Sequence, residues 1–360
     1  LFALIFNFLY LITRFFLYNS KKLNLIRLDE DNSKGFINSY ISSLFLIFLI
    51  SFAALIYFVV TTFGGFLNFS WIDMFDSRGG FAYNLFSYGY SMTTPLIFLA
   101  YSYKRKRLFY ITLSILIFII FVFRIRTFLI PLTIPFIISY LLSDKFKLTI
   151  LNSFKTIIIS ASTIILIVGL GVLKAFASLT DFYNIITFNK FWEMLYSILF
   201  SKYGELGLRN AFYFFLENDN NFSNFGLGLG YIRLFLLPIP SSISLGIKPQ
   251  DFAMDMGMAY DPINSVAGVN SMHPTLFGDC YANLGWFGVF LGVFWGIFVY
   301  VGDRLTVTTS KNIRVASLLV AYSYAYTLIA RGAVYNAVQN VFFILVTHYC
   351  LTLFIRSIKK

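Results

Sequence analysis

Nine apolar runs of about 16 to 28 residues constrain this chain more than any motif in it, because a helix needs roughly 20 predominantly apolar residues to cross a bilayer core. They cover residues 1–17, 36–63, 81–101, 108–123, 127–142, 156–176, 284–301, 315–330 and 333–355. Composition points the same way: 58% hydrophobic residues, only 12% charged ones and a mean hydropathy of +0.76 lie outside the range of soluble domains. The expected fold is all-α, a polytopic integral membrane protein with about nine transmembrane helices and one large helical loop.

That loop, residues 177–281, divides the chain into N-terminal spans (1–176), the loop itself and C-terminal spans (282–360). Connections without function are usually shorter than about 15 residues. This one has 105, with five of the eight prolines and one of the two histidines. A role in activity is therefore expected of it.

Charge fixes the expected orientation. Lys and Arg on alternate connections number 17 on one side (19–35, 102–107, 143–155, 303–314 and the C-terminus) against 10 on the other, where 11 acids balance them. The basic side is expected in the cytoplasm and the long loop outside. The net charge of +12 is thereby an orientation signal, and nucleic acid is not an expected partner.

Three arginines stand against that bias. Arg124, Arg126 and Arg331 sit at the outer ends of hairpins. Snorkelling to headgroups, or pairing with a carboxylate, explains any one of them. Three at equivalent depth suggest an anion site, since guanidinium presents a rigid fork matched to phosphate oxygens and stays charged when partly desolvated. Arg209, in GELGLRNAF, and Arg233, after GLGLGY, are candidates to complete it.

Within the loop, Phe188, Phe191, Trp192, Leu195 and Leu199 recur at helical spacing. The pattern predicts a helix lying in the interfacial plane or packed on the protein body, followed by a second helix near residues 206–216. Gly226 to Gly230 follows no strand and reads as a turn, not a phosphate loop. Asp251, Asp255 and Asp261 lack the spacing of a calcium loop and read as solvated carboxylates; no metal and no cofactor is expected. His273, outside the membrane and near a span entry, is a candidate general base, with a purely structural role as the alternative. Asp279 and Glu205 are carboxylate candidates for the same task. Gly285, Gly288 and Gly292 read as small positions that allow close helix packing.

The order of these features resembles the Wzy-type polymerases of O-antigen and related bacterial polysaccharides. An Arg-bearing hairpin precedes a large periplasmic loop, which passes through GLGLGYIRLFLLPIPSSISLGIKP and re-enters the membrane through HPTLFGDCYANLGWFGVFLG; Arg331-Gly332 stands near the outer end of the penultimate span. The resemblance covers residues 81–355. Such polymerases often show Glu before a Tyr-x-Asn-x-Gly element, whereas this chain has the shorter Asp279, then Cys280 and Tyr281-Ala282-Asn283-Leu284-Gly285. Residues 273–288 are also similar to the His and Gly-x-x-Gly pattern of O-antigen ligases, offset by about one residue.

The resemblance implies a GT-C-like fold in the bacterial inner (plasma) membrane and metal-independent glycosyl transfer on the periplasmic face. A growing glycan on undecaprenyl pyrophosphate would move to the non-reducing end of a new lipid-linked repeat unit. Donor and acceptor are then both undecaprenyl-pyrophosphate-linked oligosaccharides, and membrane lipid and a chain-length regulator are further candidate partners. Arg124, Arg126, Arg209, Arg233 and Arg331 would hold the pyrophosphate, while His273, Asp279 or Glu205 takes the acceptor's proton. Two alternatives stay open: a ligase transferring finished glycan to lipid A core, which shares the donor site, and a transporter, for which internal repeats and polar residues near mid-membrane are expected.

Overall fold

The computed structural model of the chain describes residues 1–19, 33–66, 91–123, 187–200, 208–237, 246–262, 272–307 and 313–358, with isolated positions between them. All regular structure among them is helical: α1 (Phe2–Asn19), α2 (Lys34–Phe63), α3 (Thr93–Ser102), α4 (Lys106–Phe123), α5 (Phe188–Phe200), α6 (Leu208–Glu217), α7 (Leu229–Phe235), α8 (Phe252–Tyr260), α9 (Thr275–Leu284), a 3-10 turn (Gly285–Phe290), α10 (Leu291–Val307), α11 (Ile313–Arg331) and α12 (Val334–Ile358). Four helical runs among the described residues are long and apolar enough to cross a membrane: α1, α2, Thr275–Arg304 and α12. They coincide with four of the expected spans. Helices α4 and α11 overlie the runs 108–123 and 315–330, and α3 overlies the second half of 81–101. The runs 127–142 and 156–176 fall outside the described residues except at scattered positions, as do the hairpin arginines Arg124 and Arg126, and Glu205.

The chain forms two compact units, each gathered from three stretches. The first comprises Leu1–Asp29, Lys202–Thr308 and Tyr324–Phe342. In it α1 lies along α10 in the same direction, and glycine sets the approach. A Cβ at Gly292 would stand 2.4 Å from the Phe6 carbonyl oxygen, and one at Gly296 would stand 2.9 Å from that of Tyr10. One end of the pair is tied by Arg14, whose Nη2 donates to Asp303 Oδ2 at 2.5 Å while the Tyr18 hydroxyl donates to the same oxygen at 2.6 Å. This contact explains an arginine within an apolar run, and it brings residues 19 and 303 to one end, in agreement with their assignment to one side by the charge count.

Around that pair the first unit builds an aromatic core from Phe2, Phe6, Phe212, Phe215, Phe225, Phe252 and Tyr281, with Ala211, Ala253 and Ala282 between the rings. Phe2 meets Tyr281 edge-on at 5.4 Å, and Phe215 meets Phe225 at 5.1 Å. Small residues let the rings close up. At Gly278 of α9 a Cβ would come within 2.7 Å of Pro274 Cβ and 3.2 Å of Phe212 Cβ.

The second unit comprises Glu30–Ser201, Thr309–Ser323 and Phe343–Lys360. Its core joins Leu55, Phe58 and Val59 of α2 to Ile97 of α3 and Leu116, Ile119 and Ile120 of α4. Helix α2 stops at Gly64, which adopts a left-handed φ of 71° and returns its N–H to Val60 O. Some polar side chains here are satisfied locally, as Thr112 and Ser102 donate to carbonyls four residues back; others pair across the unit, Tyr40 Oη lying 2.9 Å from His348 Nδ1. The expected amphipathic helix is α5, but its stripe divides: Phe191 and Leu195 are half-buried, whereas Phe188, Trp192, Tyr196 and Phe200 line an exposed face.

Candidate active-site cleft

The glycine-rich passage of the loop positions the site. Gly226 and Gly228 take left-handed φ values of 78° and 67°, a turn as expected, and their N–H groups donate to the carbonyls of Ala282 and Asn283 at 2.9 and 2.7 Å. Helix α7 starts directly afterwards and is laid against α9. Gly230 N donates to Asn283 Oδ1 at 2.9 Å, and any Cβ there would stand 2.6 Å from the same oxygen. Asn283 in turn donates to Asp279 O at 3.0 Å. The buried amide therefore sets the register of α7 on α9.

Between these helices, α8 and the start of α12 lies a cleft of about 30 Å³, lined among others by Tyr231, Arg233, Asp251, His273, Asp279, Asn283, Gly332, Tyr335 and Asn336. A water needs roughly 10–15 Å³ of such space, so the enclosed part of the cleft takes about two or three water-sized groups, and a polar head such as a phosphate oxygen or a hydroxyl fits it.

Arg233 forms one wall. Its Nη1 donates to Pro249 O at 2.8 Å and its guanidinium lies over the Tyr335 ring, 4.5 Å from the centroid. Its Nε is buried and has no hydrogen-bond partner among the described residues. The charge is held by a carbonyl and a ring, and among the described residues no carboxylate bonds to it, which suits an incoming anion.

Asp279 forms the other wall and is 6% exposed. Its Oδ2 accepts a hydrogen bond from the Tyr231 hydroxyl at 2.8 Å, and Cys280 Sγ flanks that hydroxyl at 3.6 Å. Burial, then the neighbouring Asp279 carboxylate and Cys280 thiol, push Tyr231 well above the usual phenol range, so it stays a hydroxyl and donates.

Asp251, Asp255 and Asp261 are all partly exposed, and they also frame α8. Asp251 caps its N-terminus by accepting from Ala253 N at 3.2 Å and also lines the cleft. Asp255, half-buried, accepts from Asn224 Nδ2 at 3.4 Å, and burial raises it above the ordinary carboxylate value. Asp261 is the C-cap residue. Among the described residues no three His, Cys, Asp or Glu side chains converge as a metal site would need.

Of the residues expected at the site, Arg233, His273 and Asp279 meet in this one cleft. Arg331 is the last residue of α11, directly before the lining residue Gly332. Gly332, at φ 92°, rests on the backbone of Thr275, where a Cβ would come within 2.6 Å of the carbonyl oxygen. Thr275 itself holds φ 69°, an outlier for a β-branched residue, two positions after His273. Arg209 is exposed on α6 and is not among the lining residues. Two glycine readings divide: Gly288 and Gly292 are close-packing positions, with Cys280 O at 2.3 Å and Phe6 O at 2.4 Å from their built Cβ atoms. Gly285 meets nothing within 4 Å and is required instead by its φ of 56°, which breaks α9 from the 3-10 turn.

Sequence reasoning did not single out Tyr231, Asn283, Tyr335 or Asn336. Only Asn283 carried a signal, as the Asn of the Tyr-x-Asn-x-Gly element. Comparison with family models, with curated proteins and with solved structures gives no match.

Proposed function

We propose that the chain is a membrane glycosyltransferase of the Wzy polymerase type, which transfers a growing glycan from undecaprenyl pyrophosphate to the non-reducing end of a new lipid-linked repeat unit on the periplasmic face of the bacterial inner membrane. The observation that carries this reading is the meeting in one small cleft of an arginine that no carboxylate bonds to among the described residues, a histidine and a buried carboxylate, all drawn from the long loop. Pyrophosphate is already a good leaving group, so the protein chiefly stabilises its developing charge, orients two bulky lipid-linked sugars and accepts one proton. Arg233 supplies the first task, with Arg331 at the neighbouring turn. Asp279 or His273 supplies the last.

The test is elongation of a purified lipid-linked repeat unit by wild type, Arg233→Lys, Arg331→Lys, His273→Ala and Asp279→Asn, with donor binding measured separately. Lysine keeps the charge but loses the fork, and at least one of the two arginine variants should fall about tenfold or more. Loss of the base should cost about 10² to 10⁴ in rate. Wild-type rates in all four variants would remove the cleft from the mechanism. Transfer to lipid A core in place of elongation would make the protein a ligase.

A further inference from the structure

Tyr231 has no role in the scheme above, yet its hydroxyl is the one side-chain donor to the Asp279 carboxylate among the described residues. Two independent features hold it there. The backbone bonds from Gly226 and Gly228 to α9, with Gly230 seated on Asn283, fix where α7 begins, and this places residue 231 opposite residue 279. The residue also lines the cleft, with Cys280 Sγ 3.6 Å from its hydroxyl on the Asp279 side.

We propose that Tyr231 is a positioning residue for Asp279: by donating to Oδ2 it fixes the carboxylate so that Oδ1 is left for the cleft, where it accepts the proton of the acceptor sugar's hydroxyl. This rests on the glycosyltransferase reading and names the base within it. As the acceptor O–H bond breaks, its proton goes to Asp279 Oδ1 and its oxygen bonds to the donor's anomeric carbon. The bond from that carbon to the pyrophosphate oxygen breaks, and its electron pair leaves with the pyrophosphate on the Arg233 side. Tyr231 keeps its own proton throughout. A carboxylate free to rotate would lose the near-attack arrangement, on which positioned groups depend steeply. His273 then shares the cleft without taking the proton.

The test uses the full chain in lipid nanodiscs and the variant Tyr231→Phe, which keeps the ring and removes only the hydroxyl. Elongation should lose about tenfold in kcat with KM for the lipid-linked unit within about twofold, the split expected of a group acting in the transition state. Infrared difference spectra give a readout independent of activity: the carboxyl band that Asp279→Asn removes should shift in Tyr231→Phe. An unshifted band, or wild-type kcat, would overturn the positioning role. A shifted band in a protein that elongates nothing would uphold the Tyr231–Asp279 contact while sinking the polymerase reading. Should Tyr231→Phe fail to fold, Asp279→Glu repeats the test, since a longer carboxylate displaces the oxygen from the hydroxyl; full activity there would count equally against the proposal.

Discussion

The two compact units place their polar groups differently. In the second, several hydroxyls bond to carbonyls of their own helix, as Thr112 does to Leu108 and Ser102 to Phe98, and contacts between distant residues such as Tyr40 with His348 and Ser51 with the Phe86 carbonyl are buried beside an apolar core. In the first, polar contacts run between elements far apart in sequence: Tyr231 to Asp279, Gly230 to Asn283, Arg233 to Pro249. They converge on a cleft in which a cation and a carboxylate face the same space. The difference locates chemistry, because polar groups from several elements that meet around one open space can leave hydrogen-bonding capacity for a substrate, which a hydroxyl bonded within its own helix does not.

The comparison is easiest to break by topology. Reporter fusions at Lys106 and Lys311 should read cytoplasmic and one at Gly230 should read external, an all-or-none result resting on the 17-to-10 imbalance of basic residues. A cytoplasmic Gly230 would put the cleft on the wrong side for a periplasmic substrate.

Next in size is Gly332→Ala. It adds left-handed strain at φ 92° to a collision with the Thr275 carbonyl, and should lower stability by roughly 2–4 kcal/mol in thermal or denaturant unfolding, with loss of elongation. Gly246→Ala is its control: φ is 82° but no atom lies within 4 Å, so strain alone should cost about 1–2 kcal/mol. Equal losses would show that the approach of the α11–α12 turn to α9 contributes nothing.

Tyr40→Phe probes the other unit. It removes the hydroxyl that meets His348 Nδ1 and should cost about 1 kcal/mol, leaving elongation within about twofold of wild type. A loss of activity out of proportion to stability would mean that the second unit also takes part in transfer.

The smallest effect concerns Asp255. Burial, aided by Asp251 and opposed by the Asn224 hydrogen bond, raises its folded pKa above the ordinary 3.8. The folded state therefore prefers the protonated form, and the associated stability is present at low pH and lost as pH rises through the folded value. Asp255→Asn should melt at a slightly higher temperature than wild type at pH 7, with the difference vanishing below about pH 4. A lower melting temperature at pH 7 would show that the Asn224 bond outweighs burial.

The sequence by itself determined the class of molecule and several of its parts. Long apolar runs specify helices in hydrocarbon whatever their neighbours, which is why α1, α2, α10 and α12 were legible; the left-handed turn at Gly226 and Gly228 was legible because few other residues adopt that backbone. Arg233, His273 and Asp279 stood out because ionisable groups are scarce in a chain with 12% charged residues. Tyr231 and Tyr335 could not stand out among 24 tyrosines. The role of Tyr231 follows from the register of α7 on α9, set by backbone hydrogen bonds between residues more than 50 positions apart, and that of Tyr335 from the approach of α12 to Arg233. Arg14 shows the same limit: its partner is 289 positions away. Short-range patterning dictates what each segment becomes, but which polar groups meet is decided by long-range packing, and only the tertiary structure records it.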